Sequence, residues 1–471
     1  MKNSGKHQSG QMSLARLDEW QADRLVWSGA NVSVAANRRT EEWLADCEEE
    51  RTLTTNLMDS IADLSNLSQA CRKVIRNGGR GGVDGMEVDE LRQWFSRHHK
   101  ALREELLNGA YQATPVRGVK IPKPKGGYRQ LGIPTVRDRL VQQAILQVLS
   151  PRYERIFSSH SYGFRPGRSA HQALRQAGEY VETGKSYVVD LDLAKFFDEV
   201  NHDRLMWRLS TRIADKRVLK LIHRFLKAGL LEGGLMNQRI KGTPQGGPLS
   251  PLLSNIVLDE LDKELERRGH SFVRYADDVI VLVGSQRSAE RVQRSLIKYL
   301  EGDLKLRVNR QKSQIVRSWA LNFLGHGIKL DGSLILSQPS ESRLKDKLRQ
   351  ITRRNRGRSF EQIIEEVNRR LQGWLHYFRY AKMKSKLQVL MSWLKRRLRT
   401  YRLKQCKRAR SIARWLQQLG VPERRSWATA ATRRGWWRKA GTPAAQEGMN
   451  SEWFAKQGLL DVMNLYSRLH V

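Results

Sequence analysis

The sequence has few cysteines and no long apolar segment, and both shortages restrict what the chain can be. Only three cysteines occur among 471 residues, Cys47, Cys71 and Cys406, at spacings that suit neither a zinc site nor a disulfide framework. The first residues lack the continuous apolar stretch of a signal peptide, and no run of about 18 apolar residues is present to cross a membrane. We therefore expect a soluble cytoplasmic protein in a reducing compartment, with no membrane partner.

Acidic residues are also scarce, above all toward the carboxyl end. Lys and Arg number 85 against 48 Asp and Glu, which gives a formal net charge of +37 and a pI near 10.5. Residues 341–440 hold 30 basic and 6 acidic residues, and residues 381–420 hold no acid at all. A basic run by itself is often only a solvated face. Because tryptophans and tyrosines alternate with these cations, the segment predicts helices that pack on one side and bind nucleic acid phosphates on the other.

The apolar spacing along the chain predicts an α+β fold. Residues 111–134 read as a β-hairpin, residues 186–197 begin as a buried strand, and residues 201–230 and 242–269 have helical spacing after short loops. Helices and short strands interleave without regular alternation, which favours α+β over a doubly wound sheet. After about residue 338 the pattern is almost wholly helical and basic. Residues 1–50 carry no motif, and we interpret them as an extension of uncertain order and unknown role.

Two acidic clusters accompany apolar runs that indicate strands. Asp190 and Asp192 lie two apart in "VVDLDLAKFF", so on a strand both face the same side. Asp277 and Asp278 are adjacent in "RYADDVIVLV" and can converge only at a hairpin turn, where the alternation breaks. Two such clusters on neighbouring strands could hold two Mg²⁺ ions, because oxygen ligands are present without a His or Cys cluster. An isolated Asp-Asp pair would more simply be a solvated turn.

The stretch Tyr275, Ala276, Asp277, Asp278 with its apolar flanks resembles the Tyr-x-Asp-Asp turn of reverse transcriptases. The resemblance implies a right-hand polymerase, with fingers and a palm built on an antiparallel sheet, and a metal-binding catalytic triad. In that family the companion acid stands five residues before an aromatic, which Asp192 satisfies. Asp192, Asp277 and Asp278 are therefore the expected catalytic and metal-binding residues, and Asp277 is a stronger candidate for direct ligation than Asp278.

The aromatic in that spacing is Phe197, which the resemblance implies to be the steric gate that excludes the 2′-hydroxyl of a ribonucleotide. Its neighbour Phe196 is expected in the core, since alternation of strand faces would separate the two rings. Asp190 would place Lys195 at the gate, so we interpret Asp190 as a supporting acid or a capped strand residue. A plain core position remains the alternative for Phe197.

The remaining nucleotide-binding residues expected from the resemblance follow in the family's order. Lys123 and Arg129 of "IPKPKGGYRQLGIP" match fingers residues that hold the triphosphate, although either alone could be a surface cation. Gln245 of "GTPQGG" matches the glutamine beside the nascent base pair. Lys312 is a weaker candidate for protonating pyrophosphate. Residues 322–328, "NFLGHGI", resemble the hairpin that grips the primer end.

Several longer phrases narrow the resemblance to bacterial group II intron-encoded reverse transcriptases, or maturases. They include "LGIPTVRDRLVQQAI", "HSYGFRPGRSAHQAL", "GTPQGGPLSPLLSNI" and, downstream, "RRLQGWLHYFRY". The family implies fingers and palm over residues 51–338, an all-α basic thumb or X domain over 339–405, and a basic DNA-binding segment over 406–471. The expected RNA- or DNA-binding residues are Arg369, Arg370, Lys395, Arg396, Arg397, Arg399, Lys404, Arg433 and Arg434.

The resemblance implies an RNA-directed DNA polymerase that also helps its intron RNA to splice, and copies it into DNA during retrohoming. Intron RNA, target DNA and deoxynucleotides are the expected partners, and a homodimer stays possible. No paired-cysteine endonuclease pattern follows Trp453, so the sequence is closest to the endonuclease-lacking class C type. A retron, diversity-generating or defence reverse transcriptase, and a splicing factor with a vestigial polymerase site, are the alternatives.

Overall fold

The structure is a computed structural model that describes residues 55–122, 126–232, 235–237, 241–243 and 246–470. The extension expected over residues 1–50 lies outside the described residues. The strands, in chain order, are β1 (Val116–Pro122), β2 (Tyr128–Ile133), β3 (Tyr187–Asp192), β4 (Leu230–Glu232), β5 (Leu235–Asn237), β6 (Ser271–Tyr275), β7 (Asp278–Val283), β8 (Gln314–Arg317), β9 (His326–Ile328) and β10 (Leu334–Leu336).

The helices before the palm hairpin are α1 (Leu57–Ile61), α2 (Leu64–Asn77), α3 (Leu91–Leu107), α4 (Val136–Glu154), α5 (Ala170–Glu182), α6 (Phe196–Glu199), α7 (His202–Ser210), α8 (Lys216–Lys227) and α9 (Ser250–Arg267). The later ones are α10 (Gln286–Gly302), α11 (Gln338–Ile351), α12 (Phe360–Tyr377), α13 (Lys384–Gln405), α14 (Ala409–Gln418), α15 (Glu423–Ala431), α16 (Gly435–Lys439), α17 (Pro443–Gly448), α18 (Ser451–Lys456) and α19 (Val462–Leu469). Helices and antiparallel strands thus interleave as an α+β fold, which confirms the predicted fold class.

The fingers region is a four-stranded sheet with helices packed around it. β1 and β2 form the predicted antiparallel hairpin, and the sheet order is β2-β1-β4-β5, with β1 and β4 parallel. The helical character predicted for residues 201–230 is present as α7 and α8, and β4 begins at Leu230. Asp215 caps α8 by accepting a hydrogen bond from the backbone N–H of Arg217.

The palm is a four-stranded antiparallel sheet in the order β6-β7-β3-β8. Its central strands are apolar on both faces. Val189 and Leu191 face the large core shared with α4 and α9, whereas Val188 faces a smaller core that includes residues of α5 and β9. Burial on both sides explains the unbroken apolar run of β7, whose Ile280 and Val281 are both fully buried.

The helices from α11 onward pack around one separate core. Apolar residues of α12 and α13, such as Leu371 and Leu394, share this core with Phe454 of α18 and Tyr466 of α19. The Tyr466 hydroxyl donates a hydrogen bond to the Ala381 carbonyl at 2.9 Å, which joins α19 to the loop between α12 and α13. Residues 406–470 are therefore folded against the predicted thumb helices. None of the described helices combines the length and the apolar character needed to span a membrane.

Candidate active site

The two adjacent aspartates lie at the tip of the β6–β7 hairpin. Tyr275 pairs with Asp278, which leaves Ala276 and Asp277 as the two residues of the turn. Ala276 has a φ of +58°, in the left-handed region. This conformation costs a residue with a Cβ roughly 1–2 kcal/mol. The hairpin geometry expected from the sequence is confirmed, with Asp277 in the turn and Asp278 at the first position of β7.

The first acidic cluster meets this turn across the central pair of palm strands. In the β3–β7 ladder Asp192 is directly opposite Asp278, and Asp190 is opposite Ile280. Since side chains alternate along a strand, Asp190, Asp192 and Asp278 share one face of the sheet. Partial desolvation, followed by the negative charges of Asp277, Asp190 and Asp192, raises the pKa of Asp278 to about 6. The predicted convergence of the two clusters is therefore present in the fold.

Backbone contacts hold Asp192 at the end of β3. Its N–H donates to the Ser313 hydroxyl at 3.0 Å, and its carbonyl accepts from the N–H of Asn309 at 2.8 Å. The Lys312 ammonium lies 3.3 Å from Asp192 Oδ2, so the structure brings these two predicted site residues into contact. Asp190 instead accepts a hydrogen bond from Gln314 Nε2 at 3.3 Å, as a supporting acid would.

The carboxylates are suitable magnesium ligands, but they do not form a complete set of protein ligands by themselves. Among the described residues, no group of three or more His, Cys, Asp or Glu side chains lies close enough together to hold a metal ion by itself. Mg²⁺ in phosphoryl-transfer sites usually takes one or two carboxylates and completes its shell with water and substrate phosphates. Burial raises the pKa of Asp278, and the negative charges of neighbouring aspartates raise it further; a divalent cation would neutralise that excess charge.

A cavity of about 580 Å³ lies beside Asp277 and brings several predicted residues together. Arg129 of β2 and Phe197 of α6 line it with Asp277, as the resemblance to polymerases implies. Its volume falls in the range of pockets that hold small-molecule ligands, roughly 300–1,000 Å³. Lys123 and Gln245, the other two residues expected at the nucleotide, lie outside the described residues.

Phe197, the predicted gate residue, and its neighbour Phe196 face different ways because both lie on a short helix. Phe197 is half-buried and faces the cavity, whereas Phe196 is 2 % exposed in the core. The sequence predicted that one ring would face the site and the other the core, but strand alternation is not the cause. β3 ends at Asp192, the left-handed residue Lys195 reverses the chain, and both rings lie on α6, where successive residues point about 100° apart.

The glycine loop before α9 forms another wall of the cavity. Gly246 has a φ of +132°, and a Cβ placed there would lie 2.6 Å from the Gly132 carbonyl oxygen. Only glycine allows this loop to touch β2 so closely. The wall therefore brings Gly246 against the strand that carries Arg129.

Two cavity residues were missed by the sequence reasoning. Arg139 of α4 is 8 % exposed, and its Nε has no hydrogen-bond partner among the described residues. Phe164 is 53 % exposed and has a φ of +60°, which is unusual for an aromatic residue. Both occur in phrases that carry the family resemblance, but nothing in those phrases shows that the side chains face the cavity.

A second cavity, of about 500 Å³, connects the palm to the thumb helices. It is lined by Asp278, by Leu324 and Gly325 of the predicted primer hairpin, and by Arg370 and Trp374 of α12. The Tyr377 hydroxyl donates to the Leu324 carbonyl at 2.9 Å, which fixes α12 to the hairpin. The segment expected to grip the primer end is thus next to the Asp278 carboxylate.

The predicted nucleic acid-binding cations fall into two groups. The side chains exposed to solvent are Arg369, Arg370, Lys404, Arg433 and Arg434. The other four predicted cations all lie on α13 and are partly buried. Each donates a hydrogen bond to another element: Lys395 to the Ser451 hydroxyl, Arg396 to the Trp437 carbonyl, Arg397 to the Thr352 hydroxyl and Arg399 to the Met449 carbonyl. Burial lowers the pKa of Lys395, Arg397 and Arg399. The structure thus gives these four a packing role.

Comparison with known families separates the chain into the same two parts. Residues 121–328 match the model described as reverse transcriptase (RNA-dependent DNA polymerase). Residues 342–420 match the model described as group II intron, maturase-specific domain, which extends past the expected boundary at residue 405.

Individual proteins and a solved structure are similar to parts of the chain. Protein YkfC of Escherichia coli (strain K12) is 38 % identical over 301 residues, which cover 55 % of this chain and 79 % of YkfC. The group II intron-encoded protein LtrA of Lactococcus lactis subsp. cremoris is 31 % identical over 310 residues, covering 52 % of each chain, so the match spans about half the length of LtrA. A solved structure titled partial Cas6-RT-Cas1–Cas2 complex is 29 % identical, with a TM-score of 0.34, over 53 % of this chain and 43 % of that one.

The two domain matches follow one another in the order of a polymerase and a maturase region, and YkfC is matched over most of its length. The chain belongs to the group II intron-encoded reverse transcriptases, or maturases.

Proposed function

We propose that this protein copies RNA into DNA at the β6–β7 turn. The observation that carries the proposal is the cavity that joins Arg129, Phe197 and Asp277 beside the Asp192–Asp278 strand pair. It combines a cation for a polyphosphate, an aromatic ring for a sugar, and carboxylates for the reacting centre. The reverse transcriptase match over residues 121–328 supports the same function.

The chain's own residues divide the work of nucleotide addition. The Arg129 guanidinium binds phosphate oxygens of the incoming nucleotide, since its planar fork matches their geometry. The Phe197 ring lies under the sugar and leaves no space for a 2′-hydroxyl. The hairpin at Leu324 and Gly325 holds the primer end near Asp278. Lys123 and Gln245 would add a second phosphate contact and a base-pair contact.

Asp192, Asp277 and Asp278 would hold two magnesium ions. When bound, these ions supply activation of the primer 3′-hydroxyl and neutralisation of the charge on the triphosphate. The carboxylates themselves need to be ionised to take that role, which requires Asp278 to lose the proton that burial and its three acidic neighbours favour.

Primer extension on an RNA template tests the polymerase. Wild-type protein with Mg²⁺ should extend a DNA primer, and Asp277→Ala should not. Asp190→Ala is the matched control, because this aspartate lies on the same face but contacts Gln314 and precedes Asp192 by two residues on β3, farther from the turn. Equal extension by wild type and Asp277→Ala would refute the proposal and favour a splicing factor with a vestigial site.

We further propose that the helices from α11 onward bind the intron RNA and assist its splicing. The maturase-specific match over residues 342–420 supports this function, as do the exposed cations Arg369, Arg370 and Lys404 on α12 and α13. Structured RNA is held largely through phosphates and shape, which suits cations spread over two helices. Copurified RNA should be enriched in a ribozyme-like sequence; recovery of bulk cellular RNA alone would contradict the proposal.

A further inference from the structure

A buried arginine that the proposed polymerase chemistry does not use donates a hydrogen bond to the β6–β7 turn. Arg274, the residue two before Ala276, is 0 % exposed, and so is Asp262 of α9. Arg274 Nε donates to Asp262 Oδ1 at 2.7 Å, and Nη2 completes a two-pronged ion pair with the same carboxylate. The pair ties the hairpin to the long helix behind the palm sheet.

The third nitrogen of the guanidinium reaches the turn itself. Arg274 Nη1 donates to the Ala276 carbonyl at 3.0 Å and to Asn255 Oδ1 at 2.8 Å. Ala276 is the left-handed residue that precedes Asp277. A conformation of this kind persists only where the surroundings enforce it, and the Arg274 hydrogen bond acts on the peptide that joins Ala276 to Asp277.

A second contact reaches the turn from another segment. Asn255 Nδ2 donates to the Gly163 carbonyl at 3.0 Å. A Cβ on Gly163 would lie 2.1 Å from the Ala276 nitrogen, so the bare backbone of Gly163 touches the turn. Arg274 and the segment at Gly163 also pair through the backbone, since the Tyr162 N–H donates to the Arg274 carbonyl at 2.9 Å. The turn is thus clamped between two elements that the same asparagine connects.

Stability alone is a poor explanation for this arrangement. A fully buried ion pair gains little over apolar residues of similar volume, because desolvation offsets the attraction of the charges. What an apolar pair could not provide is the fixed donor to the Ala276 carbonyl.

We propose that Arg274 is a positioning residue for catalysis, which with Asp262, Asn255 and Gly163 fixes the Ala276 peptide and so places the Asp277 carboxylate. This inference rests on the proposed polymerase function. Arg274 touches neither nucleotide nor primer in this arrangement; it acts only through the backbone of the turn. Its loss should therefore lower the rate of the chemical step and leave nucleotide binding nearly unchanged.

The test removes both charges of the pair at once, in Arg274→Met with Asp262→Leu, so that no unpaired charge stays buried. For single-nucleotide addition we expect kcat to fall about 100-fold, the scale of a misplacement near 1 Å, with the deoxynucleotide KM changed less than about threefold. Arg204→Met with Glu260→Leu is the matched control, because that pair joins α7 to the same helix α9 without contacting the turn. A folded Arg274 double variant whose kcat stays within about threefold of wild type would overturn the proposal.

Hydrogen exchange gives a readout that does not depend on activity. Backbone amides in a peptide covering residues 270–284 should exchange faster in the Arg274 double variant and at the wild-type rate in the control. If wild type fails to extend a primer, the polymerase proposal fails, while the exchange rates still decide whether Arg274 holds the turn. Unchanged exchange would refute the positioning role.

Two single substitutions keep the test decisive if the double variant does not fold. Arg274→Lys retains the charge for Asp262 but lacks the fork that also reaches the Ala276 carbonyl. Gly163→Ala pushes on the turn from the opposite side and leaves Arg274 intact. Both should lower kcat more than they change KM; a normal kcat in both would refute the clamp.

Discussion

Asp192 and Asp278 lie directly opposite each other on adjacent antiparallel strands, although 86 positions separate them in the chain. Residues opposite each other in such a ladder have Cβ atoms about 5 Å apart. Two ionised carboxylates at that spacing repel each other, which adds to the effect of burial in raising the pKa of Asp278. Either a bound divalent cation or a proton on Asp278 relieves this repulsion.

Replacing Asp192 or Asp277 by Asn should abolish primer extension, with a loss of at least about 1,000-fold, because the amide keeps the shape but removes the charge that binds a cation. Steady-state extension on an RNA template measures the loss. Asp190→Asn is the control and should retain most activity, since its carboxylate contacts Gln314. An equal loss of activity in all three variants would show that any loss of negative charge in this region lowers activity, which would refute the specific assignment of Asp192 and Asp277.

Phe197→Ala should weaken the preference for deoxynucleotides by about 10- to 100-fold, the range in which a pocket wall discriminates one hydroxyl. Competing ribonucleotide incorporation measures it. Phe196→Ala is the matched control: this core ring should instead cost about 3–5 kcal/mol of unfolding free energy and leave sugar selectivity unchanged. If sugar selectivity changes only in the Phe196 variant, Phe196 is the gate and the assignment to Phe197 is refuted.

His326 should make the protein less stable as the pH falls from about 6.5 to about 4. Burial against Tyr377 and Phe378, together with the charge of His171, lowers the pKa of His326 from 6.5 to about 4. Between these pH values the unfolded chain therefore binds a proton that the folded chain does not bind. The contribution of His326 to the free energy of unfolding is therefore complete above pH 6.5 and is lost as the pH decreases toward 4, by up to roughly 3 kcal/mol.

His326→Asn cannot titrate in this range but can still donate to the Leu324 carbonyl, which His326 Nδ1 contacts at 3.1 Å. Urea unfolding at a series of pH values should give a flatter pH dependence for this variant than for wild type. Parallel curves for the two proteins would show that His326 does not contribute to acid sensitivity.

Arg369→Gln with Arg370→Gln should weaken RNA binding and reduce its salt dependence. Removing one phosphate-binding cation makes the slope of log K against log salt shallower by about 0.7–0.9. Arg397→Gln is the contrasting variant: it should cost about 1.5–3 kcal/mol of unfolding free energy, because the hydrogen bond to Thr352 is broken. Filter binding at several salt concentrations and thermal unfolding separate the two effects, and a salt slope that changes only in the Arg397 variant would reverse the assignment.

The sequence predicted the hairpin of Asp277 and the strand of Asp192 because short continuous apolar runs indicate buried strands and only a turn lets adjacent acids converge. It did not predict Arg274, although this residue lies next to the acidic pair, since a cation in an apolar strand shows nothing about its partner 12 residues earlier. The sequence also did not show that Arg369 is exposed to solvent whereas Arg397 is partly buried. Which helical cations are exposed depends on where α14 to α19 pack, and that is set by long-range contacts such as Tyr466 with Ala381.

The core shared by α12, α13, α18 and α19 has a practical consequence for dissecting the protein. A truncation at residue 405 would not release an independent tail; it would expose the apolar faces of α12 and α13 that Phe454 and Tyr466 cover. A truncated protein that fails to bind RNA would then report misfolding, not the loss of a binding surface. Surface point substitutions, and not deletions, are the appropriate means of assigning RNA and DNA contacts in this part of the chain.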